Sequence, residues 1–84
     1  MNKAWITVED NTLITGFSAV SQEVLDHFNQ ENISIADSNS SYFVIHVIYD
    51  DMEEVKEVAS LTTYLLLNAY VTQFTMTINT SDLI

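Results

Sequence analysis

The sequence predicts an α+β fold: an antiparallel sheet with two helices on one face, in the order β-β-α-β-β-α-β, a ferredoxin-like sandwich with an extra N-terminal strand. Three observations carry that expectation. Apolar and polar residues alternate over 4–8 and again from Val71 onward, the period of half-buried strands. The run Tyr42-Phe43-Val44-Ile45-His46-Val47-Ile48-Tyr49 is apolar on both sides apart from His46, as in a strand at the middle of a sheet. Two further stretches repeat their apolar residues every three or four positions, the stripe of a helix packed along one side.

In chain order, Ala4, Ile6 and Val8 form the inner side of a first strand and Trp5, Thr7 and Glu9 the outer. Asp10-Asn11 reads as a turn, and 12–17 as the second strand of an N-terminal hairpin, with Gly16 marking a bulge or the strand exit. Ser21 is placed as the N-cap of a helix that buries Val24, Leu25 and Phe28 and runs to about Glu31. Ile33 and Ile35 suggest a short strand, followed by a polar loop over 37–41. After the central strand, Asp51 and Glu54 have the spacing of a reciprocal N-cap, and Val55, Val58, Ala59, Thr62, Leu65, Leu66 and Ala69 make a core-facing stripe over four turns. The closing strand turns Phe74, Met76 and Ile78 inward, and 80–84 reads as a loose tail.

Composition narrows function more than any motif does. The chain has 84 residues, 48% of them hydrophobic, which suffices for one core and one domain, 1–84. Its formal net charge is −10, with 12 acids against 2 lysines and no arginine. Lys3 and Lys56 cannot neutralise a phosphate backbone, so direct nucleic-acid binding is not expected, and an anionic membrane surface is disfavoured on the same ground. No apolar run approaches the ~20 residues of a spanning helix. The first residues lack the apolar stretch of a secretory signal, so a cytoplasmic protein is expected. With no cysteine there is neither a disulfide nor thiolate chemistry.

Signals for catalysis are thin. A single glycine cannot build a phosphate-cradling loop. Asp26 and His27, adjacent on a helix, point about 100° apart and cannot orient one another as a catalytic relay requires. His46 stands out as the polar residue of the central strand, either as a ligand or base on the uncovered sheet face or as a histidine satisfied beside Tyr42 or Thr75. The acids of 50–54 lack the alternation and glycine of a calcium loop. The expectation is therefore a non-enzymatic protein with no cofactor and no metal.

The acidic residues hold the most content. Five carboxylates fall between Asp50 and Glu57, about 10 Å of helix, or roughly one charge per 2 Å. Duplex DNA carries one per ~1.7 Å. Asp50, Glu53 and Glu57 share a solvent side of the helix, with Glu54 on its flank and Asp51 used by the cap. Acids in a first turn also complement the helix dipole, but that does not account for a surface almost without lysine. Leu61, Tyr64 and Leu67 lie outside the core stripe, either buried widely under the sheet and the first helix or forming an exposed apolar patch beside the acids. Anchors flanked by steering charges are what a protein interface uses.

In size, acidity and one-domain character the chain resembles the DNA-mimic inhibitors that phages and mobile elements direct against restriction enzymes, Cas nucleases and glycosylases. The resemblance is one of composition. It implies a basic protein partner, a nucleic-acid-binding enzyme, met by Asp50, Glu53, Glu54 and Glu57 as phosphate surrogates. Glu9 and Asp10 at a hairpin tip would form a second cluster, and Leu61 with Tyr64 the apolar anchor. Two other readings compete. One is an immunity or antitoxin protein occluding a basic toxin active site. The other is a small structural subunit that forms a homodimer through a strand edge.

Overall fold

The computed structural model describes residues 2–10, 17–28, 31–39 and 41–81. Six elements are present: β1 (Asn2–Asp10), α1 (Phe17–Phe28), β2 (Ile33–Ser38), β3 (Tyr42–Tyr49), α2 (Met52–Asn68) and β4 (Phe74–Thr80). The strands form a four-stranded antiparallel sheet in the order β2-β3-β1-β4. The α+β class, with two helices and an antiparallel sheet, is as the sequence predicts. The element order differs from the seven expected. β1 pairs with β3 on one side and with β4 on the other, so neither of its edges is left for a hairpin partner from 12–17. Phe17 instead opens α1, and 11–16 lie outside the described residues.

The core lies between helices and sheet. Alternation along β1 and β3 turns Ala4, Ile6 and Val8, with Phe43, Ile45, Val47 and Tyr49, toward the helices. The antiparallel register sets these side by side, Ile6 opposite Ile45 and Val8 opposite Phe43, which is the cross-strand contact that stabilises a sheet face. Val20 and Val24 of α1 and Val55, Val58 and Leu66 of α2 close the same cluster. Thr62, fully buried among them, is satisfied within its own helix by donating to the Val58 carbonyl at 2.7 Å.

Several local expectations are corrected. Ser21 lies inside α1, which begins at Phe17 and ends at Phe28. β2 runs on through Ser38, with a bulge between Ile35 and Asp37, so the polar loop contracts to a tight β2–β3 turn. There Asn39 Oδ1 accepts from the backbone N–H groups of Ser41 (2.8 Å) and Tyr42 (3.0 Å), an Asx-type turn. β4 starts at Phe74, and Val71 is buried ahead of it. The end of the chain is tied further than expected, since Thr80 is in β4 and Ser81 N–H donates to the Lys3 carbonyl at 2.9 Å. Residues 82–84 lie outside the described residues.

Candidate functional site

The acidic end of α2 is fixed by its cap. Asp51 has an extended backbone and its Oδ1 accepts from Glu53 N–H at 3.1 Å, while Glu54 N–H donates to the Asp51 carbonyl at 2.9 Å. With Asp51 held as the cap, Asp50, Glu53 and Glu57 are exposed and Glu54 is half-buried. Lys56 reaches Glu53 at 3.4 Å across an exposed i,i+3 pair, a contact worth about 0–1 kcal/mol in water. It is the one ion pair among the described residues. The other carboxylates of the ridge therefore keep their charge open to solvent.

Glu54 and Glu57 also line a cleft of about 240 Å³ between the start of α2, the end of α1 and the sheet, with Ile33, Val47 and Val58 at its apolar side and Phe28 and Asn32 at its rim. Asn32 is held in place by donating its side-chain N–H to the Ile48 carbonyl at 2.9 Å. A cavity of this size is below the roughly 300 Å³ at which small-molecule sites begin. A shallower groove farther along the two helices is lined by Glu23, Asp26, His27 and Leu65, so carboxylates border this groove as well.

Farther along α2 the ridge becomes apolar. Leu61 is half-buried, whereas Tyr64 is 61% and Leu67 51% exposed. Tyr70, just past the helix, is 83% exposed and has φ 64°. It occupies the left-handed position of a helix stop in which Val71 N–H reaches the Leu66 carbonyl (2.9 Å) and Tyr70 N–H the Leu67 carbonyl (3.0 Å). Val71 is buried alongside Leu66, the apolar contact that accompanies this motif. Tyr70 escaped the sequence reading because such stops usually carry glycine. The available hint was that the single glycine, Gly16, lies far from this helix end.

The expected second cluster is divided. Asp10 is the last residue of β1, only 6% exposed, and its N–H donates to the Ser41 carbonyl at 2.8 Å. Glu9 alternates with it and is exposed on the sheet face turned away from the helices. Hence Glu9 and Asp10 do not form an exposed hairpin tip, and Glu9 lies on the opposite layer from the α2 carboxylates.

That helix-free face is organised around Trp5 and His46, which are register partners with stacked rings, centroids 5.1 Å apart at 27°. His46 is not satisfied beside Tyr42 or Thr75 as one sequence reading had it, because its Nε2 is buried without a hydrogen-bond partner. Tyr42 instead donates its hydroxyl to Asp37 Oδ2. That bond, and next the negative charge of Asp37, raise the phenol above its ordinary pKa.

Among the described residues no three His, Asp or Glu side chains converge to hold a metal, and no helix is long and apolar enough to cross a membrane. Comparison with models of known protein families finds no match. Nor is any curated protein sequence significantly similar to the chain.

Proposed function

We propose that the chain is a non-enzymatic acidic binding protein, a DNA-mimic inhibitor of phage or mobile-element type that blocks the basic groove of a nucleic-acid-binding enzyme. The observation that carries this reading is the composite ridge of α2. Asp50, Glu53, Glu54 and Glu57 present carboxylates over its first turns, and the same helix continues into exposed Tyr64 and Leu67. Clustered carboxylates steer a cationic groove into place, and desolvated aromatic and aliphatic anchors slow dissociation. The cleft beside Glu54 and Glu57 supports the same reading, since its two carboxylates offer a counter-charge to an arginine or lysine of the target. The strand order β2-β3-β1-β4 supports describing the framework as a ferredoxin-like sandwich, a scaffold that carries no functional weight of its own.

The test is competition with duplex DNA for restriction, Cas and glycosylase enzymes. Exchanging Glu53 and Glu57 together for glutamine is expected to weaken inhibition by about 10- to 100-fold, with the fold retained because both side chains are exposed. Undiminished inhibition by that double variant, on a verified target, would remove the phosphate-surrogate role.

A further inference from the structure

The chain's charge is unevenly divided between its two layers. Most exposed acids belong to the helices and their ends, whereas register places Lys3, Trp5, Thr7 and Glu9 of β1 on the helix-free face, beside Val44 and His46 of β3. The further carboxylate of this face, Asp37 at the β2 rim, accepts the Tyr42 hydroxyl. We propose that this face is the interface of a homodimer in which two copies stack sheet on sheet with their β1 strands antiparallel.

Charge placement selects a second copy as the occupant. Lys3 and Glu9 are both exposed and stand three residues either side of Ile6 on one strand. Six residues of strand separate them by about 20 Å, so they cannot pair within one chain. A two-fold axis in the interface, perpendicular to β1 and passing over Ile6, sets Lys3 of each copy against Glu9 of the other and Trp5 against Thr7. Any other partner would need an anion and a cation at that same spacing; a second copy has them by construction of the symmetry. Packed sheets lie about 10 Å apart, and the helix layers lie farther out still, well beyond the ~8 Å screening length at physiological salt. The acidic ridges thus point away from each other and cost the dimer little.

The centre of the face has the character of an anchor. The Trp5–His46 stack lies next to the axis, and aromatic side chains at the middle of an interface carry most of its binding energy. Four strands of six or seven residues cover roughly 400 Å² in projection per copy, about 800 Å² in all before side-chain relief, which is the size of a weak, reversible interface. The dimer is accordingly concentration-dependent. It leaves the α2 ridge uncovered and stands or falls apart from the inhibitor reading.

Sedimentation from about 5 to 500 μM reads the association by mass action. The expected result is a rise from 9.5 kDa toward twice that mass. Lys3→Glu and Glu9→Lys should each weaken dimerisation about 3- to 10-fold, and the double exchange Lys3→Glu/Glu9→Lys should restore it, since cross-pairs are then re-formed with inverted sign. Trp5→Ser should abolish it, with circular dichroism verifying the fold. A chain that remains monomeric throughout overturns the proposal. So does a dimer indifferent to Trp5→Ser, or one strengthened by Glu9→Lys alone, which would mark simple relief of net charge.

Discussion

Tyr70 shows how much a single residue can hold in tension. Its φ of 64° places a bulky side chain in the left-handed region, which costs a non-glycine residue roughly 1 kcal/mol. Tyr70→Gly is expected to stabilise the fold by about 1 kcal/mol, a rise of roughly 4–8 °C in Tm for a domain of this size. A lower Tm in that variant would mean that the tyrosine ring itself stabilises the fold. Asp10 makes the complementary point about legibility. Asp-Asn looks like a turn when read locally, but Asp10 is opposite Phe74 in the β1–β4 ladder and is bonded to Ser41. Those partners are dozens of residues away in sequence, so no local signal could have moved Asp10 from a loop tip into a buried strand end.

At the scale of elements, legibility follows how local the determinants are. α2 was readable because its cap, its first-turn acids and its stripe of Val55, Val58, Thr62 and Leu66 all lie within the helix itself. The cap is a separable part. Asp51→Ala is expected to cost about 1 kcal/mol, seen as a lower urea midpoint with unchanged slope, because Glu53 N–H loses its acceptor. The start of α1 was not readable, since serine is favoured as a cap only by propensity and its presence at 21 does not fix a helix start, which lies at Phe17. β2 was half-read for another reason. Beyond Ile35 the apolar signal stops, and it is pairing with β3 across a bulge that keeps Asp37 and Ser38 extended. β3 gave itself away because its eight residues are apolar or aromatic apart from His46, a run with strong strand propensity within the segment itself. The α2 carboxylates were legible as a cluster, whereas the cleft under Glu54 and Glu57 was not, because its walls Ile33 and Val47 come from strands whose placement is tertiary.

For the molecule as a whole, the net charge of −10 sets opposite salt responses for folding and for binding. Screening relieves self-repulsion among the acids, so Tm is expected to rise as sodium chloride goes from about 20 to 300 mM. Over the same range affinity for a basic partner should fall. A Tm that drops with salt would show that ion pairing within the fold outweighs repulsion, contrary to the single exposed pair Lys56–Glu53 among the described residues. The sheet order has a consequence of a different kind. β1, the earliest strand in the chain, is held between β3 and β4, so on a ribosome it emerges with neither neighbour made. Ile6 and Val8 stay without cross-strand partners until Tyr42–Tyr49 has emerged, and the second edge of β1 stays open until Phe74–Thr80 has. Nascent chains halted before Phe74–Thr80 has emerged should lack a complete sheet and should be substrates for chaperones.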